Sequence, residues 1–253
     1  MEWSEIDSLL LSEGHLKRIV ALTGAGISAE SGIPTFRGAD GYWRQYRPEE
    51  LATPEAFASN PHLVWEWYIY RRQLIAQSRP NSGHLALFEL ENLLADRFTL
   101  ITQNVDGLHA RTGNKRTLEL HGNIFLNRCN RCFKRFSDDV LDFSLFPPSC
   151  PKCSGAIRPD VVWFGESLNI SVIEDAFGSS RMATLFLAVG TSAVVHPAAS
   201  LPIAAHENGA FLIEINPDAT PLSPFADCVL RYPSAKVLPL LVEKIRQVLR
   251  DVN

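Results

Sequence analysis

Four of the five cysteines stand in two Cys-x-x-Cys pairs, Cys129/Cys132 and Cys150/Cys153, separated by 17 residues. Each pair places two thiolates on one turn, and two such turns can surround a Zn²⁺ ion tetrahedrally. Four thiolates leave no open coordination position, so we predict one structural zinc ion and no catalytic metal. Four unrelated buried cysteines are the alternative, which this spacing disfavours. Thiols that bind metal indicate a reducing compartment, and we expect a cytoplasmic protein.

A glycine-rich turn, Gly24-Ala25-Gly26-Ile27-Ser28-Ala29, directly follows an apolar run. The pattern G-x-G-x-x-A permits a tight turn and a close approach to a pyrophosphate, and a following helix would offer free N–H groups. The turn therefore predicts a dinucleotide site, with an ordinary strand-to-helix turn as the alternative. No strand ending in Asp or Glu follows about 20 residues later, as it does in dehydrogenases, so hydride transfer is disfavoured.

Polar side chains follow two further apolar runs. Gln103-Asn104-Val105-Asp106 comes directly after residues 98–102, and His121 follows residues 117–120. Amide, carboxylate and imidazole groups that meet at one sheet edge beside a glycine turn favour a functional site. Taken alone, His121 is more typical of a structural histidine, and His109 is equally ambiguous.

Short buried strands must position these groups. Five apolar runs predict strands, at residues 19–23, 98–102, 117–120, 185–189 and 211–215. Between them, helix-compatible patterns occupy residues 61–78, 83–95, 197–208 and 235–250. Continuous apolar strands that alternate with helices indicate an α/β fold, in which a parallel sheet is covered on both faces. Ligands bind such sheets at the carboxyl ends of the strands.

Two regions interrupt this alternation. Residues 37–78 are rich in aromatic residues, and residues 125–160 contain the cysteines. We predict a large Rossmann-like domain that binds the dinucleotide, with a smaller domain inserted, formed by a helical part and a zinc ribbon. The large domain then comprises residues 1–36, 79–124 and 161–253.

Composition excludes several classes of protein. The chain has 253 residues, a net charge of −4 and a pI of about 6.0, so a basic face for direct nucleic-acid binding is not expected. No apolar run reaches about 18 residues, so no membrane span is predicted. The acidic beginning, Met1-Glu2-Trp3-Ser4-Glu5, argues against a mitochondrial transit peptide.

Taken together, these motifs resemble those of the sirtuins, a family of NAD-dependent protein-lysine deacylases. The resemblance extends from about Arg18 to Glu243. Apart from the four cysteines, the matching segments are residues 24–37, 102–109, 120–122, 164–166, 190–192 and 215–218.

The resemblance implies a role for each matching residue. His121 would be the general base, and Asn104 would also serve catalysis. The nicotinamide side of NAD would be bound by Gln103, Asn104, Asp106, Ala25, Phe36 and Arg37. The adenosine half would be bound by Ser192, Asn216 and Ser234. The two glycine segments would contribute Gly24, Gly26, Gly190 and Thr191. The backbone of a substrate peptide would pair as an added strand with Val162, Phe164 and Gly165.

The implied reaction consumes NAD. The acyl group of a protein lysine passes to ADP-ribose, which gives free lysine, nicotinamide and O-acyl-ADP-ribose. His121 would accept a proton from the ribose hydroxyls, and a histidine pKa near 6.5 suits this task at neutral pH.

Tyr68 and Arg71 indicate which acyl groups are removed. They lie three residues apart, on one face of a predicted helix, where a hydroxyl and a guanidinium could bind a carboxylate. An isolated pair of this kind is usually part of an ordinary amphipathic helix. In this context the chain resembles the sirtuins that remove succinyl, malonyl and glutaryl groups, with Ala52 leaving room for the longer chain. Arg72 is the less favoured carboxylate partner.

Other functions stay open on the sequence alone. A non-catalytic scaffold that binds NAD and zinc is one, and a protein mono-ADP-ribosyltransferase is another. A dehydrogenase is the weakest alternative. We favour the deacylase, acting as a monomer on acylated-lysine proteins with desuccinylation at least equal to deacetylation.

Overall fold

A six-stranded parallel sheet forms the centre of the protein in the computed structural model, which describes residues 12–35, 46 and 48–251. The strands are β1 (Ile19–Thr23), β2 (Phe98–Thr102), β3 (Thr117–Glu119), β4 (Gly122–Cys129), β5 (Arg135–Phe136), β6 (Ile157–Val161), β7 (Leu185–Val189), β8 (Phe211–Ile215) and β9 (Cys228–Leu230). The strand order of the large sheet is β3-β2-β1-β7-β8-β9, and a second sheet has the order β5-β4-β6.

Helices cover both sheets. They are α1 (Gly26–Ala29), α2 (Pro48–Leu51), α3 (Pro54–Ser59), α4 (Pro61–Gln77), α5 (Ser82–Leu94), α6 (Leu108–Thr112), α7 (Ile170–Arg181), α8 (Ser200–Glu207) and α9 (Ser234–Asp251). Short 3-10 turns lie at Glu13–Leu16, Ala95–Arg97, Asp138–Val140 and Ser223–Phe225. The described part of the chain holds no helix that is long and apolar enough to cross a membrane.

The large sheet is buried on both faces, which is why its central strands are continuously apolar. Ile19 and Ala21 of β1 face the core formed with α5 and α9. Val20 and Leu22 face the opposite core, which is formed with α7 and α8. The predicted α/β class and the five predicted strands are therefore confirmed, while β9, α6 and α7 were not predicted from the sequence.

A third core joins the helical region to the cysteine region. Trp65 and Trp67 of α4 pack in the same apolar cluster as Cys129, Leu141 and Ile157. The Trp65 indole also donates a hydrogen bond to the Ile157 carbonyl at 2.9 Å. The two predicted insertions thus share one core.

Strands β4 and β6 cross the predicted domain limits. The limit between residues 124 and 125 falls inside β4, and the limit between 160 and 161 falls inside β6. Gly122 and Val161, which the prediction gives to the large domain, pair with each other in the small antiparallel sheet.

The turn after β1 contacts the turn after β7 through backbone atoms. Gly26 N–H donates to the Gly190 carbonyl at 2.8 Å, and a Cβ on Gly190 would lie 2.6 Å from the Ile27 nitrogen. Gly190 also has a φ of +57°, which is costly for other residues. Only glycine fits at this contact.

We expect Gly190→Ala to lower the free energy of unfolding by about 3 kcal/mol or more, because a strained φ is combined with a backbone clash. Gly209→Ala is the control, since Gly209 has a φ of +91° and a Cβ added there would meet no atom within 4 Å. The control should cost only about 1 kcal/mol. Urea denaturation measures both variants, and equal losses would contradict the proposed backbone contact.

Candidate functional site

Four parallel strands end at the same level, and this brings the polar segments after them together. Thr23 of β1 is paired with Thr102 of β2 and with Val189 of β7, which is itself paired with Ile215 of β8. Backbone hydrogen bonds continue past the strand ends, from Gln103 N–H to the Thr23 carbonyl at 2.9 Å among others. The segments that follow these strands therefore share one sheet edge, as the sequence predicts.

A cavity of about 810 Å³ opens at this edge, within the range typical of ligand sites. Most of the predicted site residues line it, although they come from distant parts of the chain. They are Gly24, Ala25, Gly26, Ala52, Tyr68, Arg71, Gln103, Asn104, His121, Val162, Phe164, Gly165, Gly190, Thr191, Ser192, Asn216 and Ser234. The predicted Phe36 and Arg37 lie outside the described residues.

His121 stands where β3 is followed by β4, and a hydrogen bond fixes its tautomer. Its Nδ1 lies 2.8 Å from the Gln103 carbonyl oxygen. A carbonyl only accepts, so Nδ1 carries the proton and Nε2 of the neutral ring keeps its lone pair. Burial lowers the pKa of His121, and the hydrogen bond to Gln103 opposes this in part. The ring is therefore a neutral base at pH 7.

Asn104 and Asp106 are held by Ser28, to which the sequence motifs gave no role. The Asn104 side-chain amide donates to the Gly24 carbonyl at 3.1 Å and to Ser28 Oγ at 3.2 Å. Ser28 Oγ in turn donates to an Asp106 carboxylate oxygen at 2.7 Å. The position of Ser28 inside the glycine-turn motif was the signal that could have identified it.

Asp106 lines a small pocket that adjoins the main cavity, together with Ala25, Asn104 and Arg71. Burial raises the pKa of Asp106, while hydrogen bonds from Leu108 N–H and Ser28 and the charge of Arg71 oppose this. The ambiguous His109 lies behind the strand ends, with Nε2 3.0 Å from the Thr23 hydroxyl. Burial lowers its pKa to about 3, so His109 is a neutral core histidine.

The far end of the cavity is organised around Thr191. Gln103 Nε2 donates to Thr191 Oγ1 at 2.8 Å, and Asn216 Nδ2 donates to the Thr191 carbonyl at 2.9 Å. Ser234 Oγ, at the start of α9, is buried and has no hydrogen-bond partner among the described residues. A buried hydroxyl that lines a cavity without a partner fits a site for a polar ligand.

The opposite end carries a buried cation. Arg71 is only 4% exposed, and its guanidinium lies 4.6 Å from the Trp67 ring centroid and 5.6 Å from that of Tyr68. Burial lowers the pKa of Arg71, and attraction to Tyr68 and Asp106 opposes the shift. Arg72 instead donates to the Ile124 carbonyl at 2.6 Å and to Asn127 Oδ1 at 2.9 Å, and it does not line the cavity.

Sequence reasoning also gave no role to Trp163 and Arg158. The Trp163 indole donates to the Tyr68 hydroxyl at 2.8 Å. Arg158 lies 3.2 Å from the Trp163 ring centroid and pairs with Glu166 through two hydrogen bonds, at 2.6 and 2.8 Å. The two charged residues inside the buried strand β6, Arg158 and Asp160, were the sequence signal for this cluster.

The four predicted cysteines form a cluster. Their sulfur atoms all lie within 4.8 Å of one another, with Cys129 and Cys153 at 3.5 Å and Cys132 and Cys150 at 3.8 Å. Tetrahedral zinc with Zn–S bonds of about 2.3 Å requires sulfur atoms roughly 3.8 Å apart. The cluster therefore fits one structural Zn²⁺ ion, and its sulfur atoms are not among the groups that line the cavity.

Comparison with known proteins agrees with this geometry. The Sir2 family model matches residues 24–197. An NAD-dependent protein deacylase of Aquifex aeolicus is 53% identical over 229 residues, which cover 90% of this chain and 95% of the relative.

Two solved structures carry relevant ligands. A triple mutant of a Sir2 homologue in complex with 2'-O-acetyl ADP-ribose is 46% identical, with a TM-score of 0.89 and 98% of each chain covered. A Sir2 complex with a p53 peptide and NAD+ is 33% identical, with a TM-score of 0.84, and covers 98% of this chain and all of that one. These similarities favour an NAD-dependent protein deacylase over the non-catalytic scaffold and over the dehydrogenase.

We expect Cys150→Ala, or zinc chelation, to lower the melting temperature by about 10 °C or more, because metal binding contributes folding free energy. Cys228→Ala is the control, since Cys228 lies outside the cluster. Zinc content and thermal melting measure both variants. A Cys150→Ala variant that keeps its melting temperature without zinc would contradict a structural role for the metal.

Proposed function

The chain belongs to the Sir2 family of NAD-dependent protein deacylases, and we propose that it removes succinyl and malonyl groups from lysine as well as acetyl groups. The observation that carries this proposal is the position of Arg71. Its guanidinium is almost fully buried, yet the residue lines the cavity beside Tyr68.

Arg71 brings a buried positive charge to the cavity wall, where its guanidinium lies against the aromatic rings of Trp67 and Tyr68. An acyl chain that ends in a carboxylate brings the opposite charge to the same wall of the cavity. Arginine can bind such a carboxylate through two charge-assisted hydrogen bonds, which an acetyl group cannot accept at its methyl end.

The cavity also has room for the longer acyl chain. Ala52 lines it with a side chain of a single carbon, and its carbonyl accepts a hydrogen bond from Phe164 N–H at 2.9 Å. A larger residue at this position would fill part of the cavity that Arg71 also lines. Ala52 therefore favours acyl groups longer than acetyl.

NAD is the co-substrate, and we assign its binding to the residues along the sheet edge. Bound NAD supplies the ADP-ribosyl group that accepts the acyl group, and nicotinamide is released. Gln103, Asn104 and Asp106 orient the nicotinamide side, whereas Ser192, Asn216 and Ser234 hold the adenosine half. The Ser234 hydroxyl, which has no partner among the described residues, supports this assignment, because a polar ligand would satisfy it.

His121 is the general base in this proposal. Its Nδ1–H is used by the Gln103 carbonyl, so Nε2 is the atom that receives a proton. Because burial lowers its pKa, the ring is neutral before the reaction begins. Nε2 must be unprotonated to accept a proton, and it stays unprotonated down to slightly acidic pH.

The substrate is an acylated lysine in a protein segment. We propose that this segment pairs as an added strand with residues 162–165. Val162 N–H and Phe164 N–H already donate to the His121 and Ala52 carbonyls at 2.9 Å, and Trp163 N–H donates to Glu166 at 2.9 Å. The added strand would therefore pair with carbonyl groups of this segment and with the Gly165 N–H.

We also propose that the protein acts as a monomer, as expected from the sequence. Free thiols in a zinc-binding arrangement support a reducing, cytoplasmic location. A net charge of −4 supports the expectation that nucleic acid is not bound directly.

His121→Ala should retain NAD binding and lose about 10²- to 10⁴-fold in deacylation rate, because the reaction loses its base. The measurement is nicotinamide release with an acylated peptide, alongside NAD binding by calorimetry. Near wild-type turnover by His121→Ala would rule out this base.

In the wild type, kcat/KM should fall as the pH is lowered, with a midpoint below pH 6.5, because the pKa of His121 is lowered from that value.

Arg71→Met should lower kcat/KM for succinyl-lysine by at least about tenfold, mainly through KM, since the carboxylate is remote from the reacting carbonyl. Acetyl-lysine has no carboxylate, so its turnover should change much less. Steady-state kinetics on one peptide with either acyl group make the measurement. Arg72→Met is the control, because Arg72 binds the backbone near β4. Equal losses on both acyl groups would mean that Arg71 supports only the fold.

A further inference from the structure

We propose that Trp163 is a positioning residue that directs the hydroxyl proton of Tyr68 towards the acyl carboxylate. This inference rests on the proposed desuccinylase function, because it concerns the same acyl pocket. Trp163 would then be a further specificity determinant. It does not contact the reacting atoms, and it is not part of the Tyr68–Arg71 motif.

The direction of one hydrogen bond carries the argument. Trp163 Nε1 lies 2.8 Å from the Tyr68 hydroxyl oxygen, and both side chains are at least 98% buried. An indole N–H can only donate, so the Tyr68 oxygen is the acceptor. A tyrosine hydroxyl has one proton, which is then left to donate elsewhere.

Tyr68 keeps this proton at neutral pH. Burial raises the pKa of its hydroxyl, and the charge of Arg71 and the hydrogen bond from Trp163 oppose the shift only in part. Tyr68 lines the same cavity as Arg71, one helical turn away on α4. Tyr68 and Arg71 therefore bring two donor groups, a hydroxyl and a guanidinium, to the wall of one cavity.

The consequence for selectivity follows from the chemistry of a carboxylate. An ionised carboxylate only accepts hydrogen bonds, so a pocket for it must present donors. Without the Trp163 N–H, the Tyr68 hydroxyl is free to rotate and to turn its lone pairs towards the acyl anion. The hydrogen bond from the Trp163 N–H disfavours this orientation. Binding of an acetyl group is not improved, because its methyl end accepts no hydrogen bond from Tyr68.

Trp163 is itself held firmly. Its ring packs on the Arg158 guanidinium at 3.2 Å from the centroid, and its backbone N–H donates to Glu166 at 2.9 Å. Glu166 accepts two further bonds from Arg158. The indole is thus fixed by contacts on its ring and on its backbone, as a positioning residue requires.

The test is a double-mutant cycle on Trp163→Phe and Tyr68→Phe. The measured quantity is the ratio of kcat/KM for succinyl-lysine to kcat/KM for acetyl-lysine on one peptide. Trp163→Phe should lower this ratio roughly fivefold, about the value of one net hydrogen bond, mainly through KM for the succinyl peptide. In the Tyr68→Phe background, the same substitution should leave the ratio unchanged, because there is no hydroxyl left to orient.

Trp65→Phe is the matched control. Trp65 is in the same apolar core, and its indole N–H also makes one buried hydrogen bond, to the Ile157 carbonyl at 2.9 Å. Trp65→Phe should lower thermal stability as Trp163→Phe does, but it should not change the ratio of kcat/KM for succinyl-lysine to kcat/KM for acetyl-lysine. This separates loss of a buried hydrogen bond in general from loss of the bond to Tyr68.

Replacement of Trp163 by 3-benzothienylalanine at that single codon keeps the bicyclic ring and substitutes sulfur for the N–H. It is the second variant if Trp163→Phe does not fold, and it should lower the ratio in the same way. An unchanged ratio in a folded variant, or equal effects with and without the Tyr68 hydroxyl, would overturn the role of Trp163. If the wild type itself does not turn over succinyl-lysine, the proposed function fails first, and the two failures are thereby distinguished.

Discussion

The register of the parallel sheet is the constraint on which the site depends. Thr23, Thr102, Val189 and Ile215 are aligned at the ends of neighbouring strands, so the segments that follow all begin at one edge. A slip of one residue in any of these strands would exchange its two buried faces, which both cores resist. The burial of the strands on both faces therefore positions the polar groups as well as stabilising the fold.

The acyl end of the cavity depends on a different core. There, residues from α4 and from the segment after β6 meet over a long sequence separation, and an ion pair between the buried Arg158 and the partly exposed Glu166 stabilises the contact. Removal of Glu166 would leave the buried Arg158 charge without this partner, which is destabilising. In the proposed function, cofactor binding and acyl selection are thus built on separate cores that share one cavity.

The sequence predicts what local pattern and spacing encode. The strand at 19–23 is continuously apolar, and the paired cysteines have the spacing of a zinc site, so both could be predicted. Strands β4 and β6 contain Asn127, Arg158 and Asp160, which form hydrogen bonds or ion pairs with side chains from other elements. These polar residues hid the strand character of the two segments. The bond between Trp163 and Tyr68 joins residues 95 positions apart, which no local pattern records. The roles of individual residues in NAD binding follow from the family resemblance and stay predictions.

The most direct test of the proposed acyl preference is steady-state kinetics of the wild-type enzyme on one peptide that carries acetyl, malonyl, succinyl or glutaryl lysine. Nicotinamide and O-acyl-ADP-ribose are both quantified. We expect equal amounts of the two products, with kcat/KM for succinyl-lysine at least as high as for acetyl-lysine. Turnover of acetyl-lysine with no detectable turnover of any acyl group that ends in a carboxylate would contradict a carboxylate-binding role for Tyr68 and Arg71.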